Sequence, residues 1–92
     1  MPRTLCVQLF VGANNDTHQV ETEKLRSVLE TYLDGYTLTE SVGFWKGTRE
    51  PSVIVEYLAT EDTPTDIIIT HIKQLLRQDA VAYRTMPALS FA

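Results

Sequence analysis

Three features of the sequence predict an α+β domain of order β-α-β-β-α-β. Four runs alternate side chains with a period of two, two stretches repeat apolar residues every three or four positions, and a Gly- and Pro-punctuated tip joins the two middle runs. The 92 residues make one domain, 1–92, with a modest core. A chain this short buries about two-thirds of its unfolded surface, and such domains often gain stability by self-association.

The first strand covers residues 4–11, Thr-Leu-Cys-Val-Gln-Leu-Phe-Val. Leu5, Val7, Leu9 and Val11 point one way; Cys6, Gln8 and Phe10 point the other. One face is fully apolar and the second nearly so, which suits a central strand covered on both sides or one covered by a partner subunit. Residues 12–17 read as a loop. Asp16 or Thr17 can cap the helix that follows, and Asp16 with Gln19 has capping-box spacing. Val20, Leu25, Val28, Leu29, Tyr32 and Leu33 form one apolar stripe, with the Lys24 stem at its edge and Glu21, Glu23, Arg26 and Glu30 on the wet side. The helix is expected over about residues 18–33, ended by Asp34 and by Gly35 in a left-handed conformation.

Residues 36–45 form the second strand, with Thr content and aromatic ends that favour extended backbone. Residues 46–51 form the hairpin tip, and residues 52–59 the third strand, antiparallel to the second because the connection is short. Thr63-Pro64-Thr65-Asp66 is a helix start: Thr63 as cap, Pro64 at the first helical position and Asp66 reaching back. Ile68, Ile72, Leu75 and Leu76 carry the buried stripe to about Arg77, and the β-branched run 67–70 is outvoted by the cap and the later spacing. Residues 80–86 form the last strand, with Val81, Tyr83 and Thr85 on one face. Residues 87–92 form a tail with two large apolar groups that suits contact with a neighbour. The order is the ferredoxin-like double split unit: two helices on one face of a four-stranded antiparallel sheet. The other face is bare in a single copy and substantially apolar, so the sheets of several copies are expected to pack together.

Composition narrows the function. The net charge is -4, from eight basic and twelve acidic residues that are interspersed. That argues against a nucleic-acid-binding surface, which needs clustered Lys and Arg. No run approaches the roughly 20 apolar residues of a membrane span. Met1-Pro2-Arg3-Thr4 leads straight into the first strand without a signal-peptide pattern, and the expected setting is cytoplasmic. Cys6 is the one cysteine and reads as buried filler. His18 and His71 are far apart and have no Cys or His near them in sequence, so no metal site and no cofactor are expected. Nothing resembles a nucleophile–base pair, a P-loop or a zinc ligand set, so no catalytic residue is assigned.

The stretch Gly43-Phe44-Trp45-Lys46-Gly47-Thr48-Arg49-Glu50-Pro51-Ser52 holds the one Trp, two of the four Gly and a Lys/Arg/Glu cluster. With the element order, Trp45-x-Gly47 followed by Glu50 and an apolar strand resembles the PII/CutA group of small trimeric proteins. CutA-type proteins carry a similar Trp-x-Gly element. PII-like proteins bind adenine nucleotides in clefts between subunits, using the loop after the second strand and the C-terminal segment. Phage S-adenosylmethionine lyases share the trimeric build. The resemblance implies a homo-oligomer, a trimer, with a small-molecule ligand: an adenine nucleotide or an S-adenosylmethionine-like compound. The tip here is far shorter than the T-loop of signalling PII proteins, and no phosphate-binding glycine run precedes the last strand.

Each candidate residue has a functional and a structural account. Phe44 and Trp45 are an aromatic wall for a base or sulfonium, or packing at a strand end. Lys46 and Arg49 hold a phosphate or carboxylate, Arg49 through its bidentate fork, or form a solvated tip. Gly43 and Gly47 allow close backbone approach or shape the turn. Glu50 is a candidate carboxylate or an ion-pair partner at the tip. Glu56, mid-strand, needs a partner such as Lys46, Arg84 or a ligand if it faces in. Arg84, with Tyr57 and Tyr83, lines the same cleft or covers the sheet. Three functions follow from these residues. The first is a sensor or sequestering protein for an adenine-containing or other anionic molecule at a subunit interface. The second is a lyase acting on S-adenosylmethionine. The third is a structural oligomer without ligand.

Overall fold

The computed structural model describes residues 4–87. The elements are β1 (Leu5–Val11), α1 (Thr22–Tyr32), β2 (Thr37–Trp45), β3 (Thr48–Ala59), α2 (Thr65–Leu75) and β4 (Ala82–Pro87). The strands form one antiparallel sheet in the order β2-β3-β1-β4. This is the expected β-α-β-β-α-β architecture. The apolar tail at 88–92 and the segment 1–3 lie outside the described residues.

Strand alternation sorts the side chains onto two faces. Val7, Leu9 and Val11 of β1 pair in register with Tyr57, Val55 and Val53 of β3, and all six are buried. Onto them pack Leu25, Val28 and Leu29 of α1 and Ile68, Ile72 and Leu76 from α2 and its C-cap. Leu9, Leu25, Leu29, Ile68 and Ile72 are fully enclosed. Each such side chain contributes about 1.5–3 kcal/mol of burial relative to exposure. Both helices therefore lie on one face, as the apolar stripes require.

The helix boundaries differ from the sequence reading. α1 begins at Thr22 rather than near residue 18, because His18 sits in the left-handed region with φ 59. The Asp16–Gln19 capping box does not form. Asn14, 3% exposed, organises the loop instead. Its Oδ1 accepts the Asp16 and Thr17 amides at 2.7 and 3.3 Å, and its Nδ2 donates to Glu21 Oε1 at 3.1 Å. Gly35 does not take a left-handed conformation; α1 ends with Leu33 extended. α2 starts at Thr65 with no side-chain cap, since the Thr63 hydroxyl accepts from the Thr60 amide at 3.0 Å. It ends at Leu75, where Arg77 at φ 54 and a Gln78 N–H to Lys73 C=O bond of 3.0 Å close a Schellman turn with Arg in the usual glycine position.

The hairpin departs most. Its tip is two residues, Lys46-Gly47, with φ of 50 and 78, both positive as a type I′ turn demands. Residues 48–51, expected in the tip, belong to β3. The β1–β3 ladder stops at Val11↔Val53, whereas the β2–β3 ladder runs on through five more pairs, from Ser41↔Ser52 to Trp45↔Thr48. The result is a two-stranded arm that extends beyond β1.

Candidate functional site

Register divides the sequence-derived candidates among three places. Phe44 pairs with Arg49 and Val42 with Pro51, so these four share the helix-side face of the arm. Phe44 is 71% and Val42 73% exposed, with no core residue over them. Glu50, opposite Gly43, points to the other face, because neighbouring strand residues alternate. Lys46 and Gly47 are the turn. The role expected of the Trp45 side chain lies outside what is described. Gly47 needs its positive φ, whereas a Cβ on Gly43 would meet nothing closer than 3.9 Å, so Gly43 is dispensable to this backbone.

Glu56 and Arg84 lie elsewhere, on the helix-free face. Gln8 pairs with Glu56 on one side and Arg84 on the other. Arg84 Nε donates to Gln8 Oε1 at 2.7 Å, and Gln8 Nε2 donates to Glu56 Oε1 at 3.3 Å. Arg84 also lies 5.7 Å from the Phe10 ring centroid, a cation–π distance. A polar row thus crosses β4, β1 and β3, flanked by Cys6, Phe10, Ile54, Leu58 and Met86. Phe10 and Leu58 remain 37% and 43% exposed. Glu56 sits six residues along β3 from Glu50, about 20 Å away at ~3.3 Å per residue, so the two carboxylates do not share a site.

A concavity lies at the far end of β2. The β2–β3 ladder begins only at Thr37↔Glu56, and the edge of β3 beyond it stands open. There the turn from α1 into β2 and the turn from β3 into α2 bound a cleft of about 650 Å³. Tyr36 and Leu58 supply apolar wall, and Asp34, Glu56 and Asp62 supply three carboxylates. Among the described residues no Lys or Arg lines the cleft. The Tyr36 hydroxyl donates to Glu30 Oε2 at 2.7 Å, and that bond, with desolvation, raises its pKa above the ordinary 10.0. Burial raises the Tyr57 pKa likewise, opposed by its hydrogen bond with Thr65 at 3.0 Å. Both phenols are neutral at physiological pH; the half-buried Tyr36 offers its ring, whereas Tyr57 is enclosed in the core.

Sequence reasoning named Glu56 and Tyr57 but missed Asp34, Tyr36 and Asp62. The two polar breaks, 34–35 and 60–62, were visible as turns; their meeting in space was not. Gln8, the single polar residue in an otherwise apolar strand, was the available signal for the row across the sheet. Among the described residues no group of three or more His, Cys, Asp or Glu is arranged to hold a metal ion. No helix is long and apolar enough to cross a membrane.

No protein-family model matches the sequence, and neither does the sequence of any curated protein. Solved structures do match in shape. A DUF3240 family protein from Shewanella baltica superposes with a TM-score of 0.65 at 17% identity, over 100% of this chain and 97% of that one. Arabidopsis thaliana PII bound to citrate gives 0.61 at 17% identity, over 94% and 78%. CutA1 from Oryza sativa gives 0.58 at 16% identity, over 96% and 84%. The chain has the PII/CutA fold. At these identities the likeness concerns the fold, and the resemblance read from the sequence holds at that level.

Proposed function

We propose that this chain is a self-assembling small-molecule-binding protein. Copies pack through the helix-free sheet face and hold an adenine-containing or other small ligand at the boundary between subunits, for sensing or sequestration. The observation that carries this reading is the composition of that face. Cys6, Phe10, Ile54, Leu58 and Met86 surround an internally hydrogen-bonded Glu56–Gln8–Arg84 row. Glu56 and Arg84 are opposite charges tied through Gln8, which lowers the cost of covering the row, and Phe10 and Leu58, 37% and 43% exposed, gain from cover. The citrate in the Arabidopsis PII structure shows that protein of the same fold holding a small anion, which supports an anionic ligand here. The expected assembly is a trimer, and the expected setting is the cytoplasm.

Native mass spectrometry with ATP, ADP, AMP, cyclic AMP, citrate and S-adenosylmethionine tests this. An assembly that gains intact ligand mass supports the reading. A chain that stays monomeric and takes up none of these ligands refutes it.

One observation favours a second reading. Among the described residues the cleft offers three carboxylates and the Tyr36 ring and no Lys or Arg, a lining suited to the positively charged end of S-adenosylmethionine. A lyase needs no protein nucleophile. The substrate carboxylate oxygen attacks its own γ-carbon, a C–O bond forms, and the C–S bond breaks with its electron pair leaving on sulfur as methylthioadenosine. Glu56, at the cleft, is proposed to hold the amine; Glu50 lies about 20 Å along β3 from it. Release of methylthioadenosine in the same experiment selects this reading over sensing.

A further inference from the structure

The connection from β1 to α1 runs through residues 12–21, longer than the roughly 2–6 residues of an ordinary strand-to-helix turn. Within it Asp16 and Gln19 have capping-box spacing, and Val20 leads Lys24 and Val28 at four-residue steps along the apolar stripe. The local sequence is thus that of a longer helix. The observed loop holds against it. Asn14 takes the Asp16 and Thr17 amides. His18 stands at φ 59, a region that a side chain with a Cβ disfavours. α1 begins after Glu21 with no side-chain cap. The loop is also clamped to the turn between α2 and β4. Arg77 Nε lies 2.9 Å from Asp16 Oδ2, Asn15 Nδ2 donates to the Arg77 carbonyl at 3.1 Å, and Gln78 Nε2 donates to the Ala13 carbonyl at 2.6 Å.

We propose that residues 14–21 form a two-state latch at the start of α1. In the observed state Asp16 pairs with Arg77. In the other state Asp16 leaves Arg77 and caps α1, which grows back to Thr17 with Gln19 at its third position. The two uses of the Asp16 carboxylate exclude each other. The extension, residues 17–21, adds about 7.5 Å of helix at ~1.5 Å per residue, and residues 12–16 remain as a turn of ordinary length. The Glu23 and Lys24 amides then gain the Gln19 and Val20 carbonyls, which in the observed state accept from Asn14 at 2.9 Å and from Thr22 at 3.0 Å. His18 leaves the left-handed region, and Val20 stays in line with Val28. Against this, the buried Asn14 carboxamide loses both loop amides, which is what holds the latch shut. Opening frees the Arg77 guanidinium, so a contact that takes up Arg77 lengthens α1, and by linkage a longer α1 favours that contact.

Backbone NMR of the full chain tests the latch. The Cα chemical shifts of residues 17–21 read helix, and saturation transfer counts a minor form. Four chains are compared: wild type, Asn14→Ala, Arg77→Met, and Asn14→Ala with Asp16→Ala. Asn14→Ala is expected to raise the ratio of extended to observed form by at least about tenfold, since the loop amides lose their acceptor. Arg77→Met keeps the side-chain stem and removes the charge; it is expected to raise the ratio about two- to fivefold, the scale of one exposed ion pair. Adding Asp16→Ala to Asn14→Ala is expected to lower the ratio again by about fivefold, because the cap of the longer helix is gone. Circular dichroism checks that each chain is folded, and the exposed Arg77→Met decides alone where Asn14→Ala does not fold. Absence of a helical form at residues 17–21 in the folded variants, or a double variant as helical as Asn14→Ala, overturns the latch.

Discussion

The two faces of the sheet are built from the same strands and have opposite characters. Leu9 is 0% exposed and its neighbour Phe10 37%. On the helix side Val7, Leu9, Val11, Val53 and Val55 meet two helices and no polar side chain intrudes. On the other side a polar row crosses three strands between apolar residues that no layer covers. The first face holds the fold together; the second is chemically prepared for a partner. The arm repeats the contrast at the level of one hairpin. β3 is enclosed from Val53 to Ala59 wherever β1 and the helices accompany it, apart from its sheet-face residues, and bare from Thr48 to Pro51 where they do not.

Substitutions on the helix side should cost stability most. Leu9→Ala removes a fully enclosed side chain at the centre of the sheet and is expected to lower unfolding free energy by about 2–5 kcal/mol, read from urea denaturation. Asn14→Ala should come next, at about 1–3 kcal/mol, because three hydrogen bonds of a 3%-exposed side chain vanish and the Asp16 and Thr17 amides lose their acceptor. Amide exchange should rise first in residues 12–19. A smaller effect depends on pH. The Tyr57 pKa is raised by burial, so the folded state favours the neutral phenol. That stability is complete below about pH 10 and is lost as pH rises through the folded pKa. Tyr57→Phe should flatten this alkaline limb relative to wild type in thermal melts above pH 10. The smallest effect on folding is expected on the open face. Phe10→Glu should change the unfolding free energy of a single copy by no more than about 0.5 kcal/mol, since Phe10 packs under no helix. In an assembly that buries this face the same change should separate the copies. A large loss of monomer stability in Phe10→Glu would erase the distinction between the two faces.

The order of elements was legible because patterning decides it. Period-two runs around Leu9 and Val55 and helix-spaced Leu25, Val28, Leu29 and Ile68, Ile72, Leu76 have few alternative uses. The errors fall where short-range chemistry has rival outlets. Asp16 and Gln19 had capping spacing, but Asn14 captured the loop amides first and pushed the helix start to Thr22. Gly47 and Pro51 both signal turns, yet only Gly47 is in one. Pro51 is tolerated in β3 because β1 has ended, leaving one edge open there. That difference turned an expected loop into an arm and dispersed the candidate site, separating Phe44 and Arg49 from Glu50 by facing and from Glu56 and Arg84 by distance. The cleft was beyond sequence reading for another reason: Asp34 and Asp62 come together only through a register that places Thr37 opposite Glu56.

The proposed assembly covers the helix-free sheet face with other copies of this chain. Sedimentation velocity of the wild type beside Phe10→Glu tests it most directly. The expected wild-type mass is a small multiple of 10.4 kDa, three for the proposed trimer, and the folded Phe10→Glu chain should sediment at 10.4 kDa. A wild type that sediments at 10.4 kDa across the accessible concentrations, or a Phe10→Glu chain that assembles as the wild type does, would contradict it.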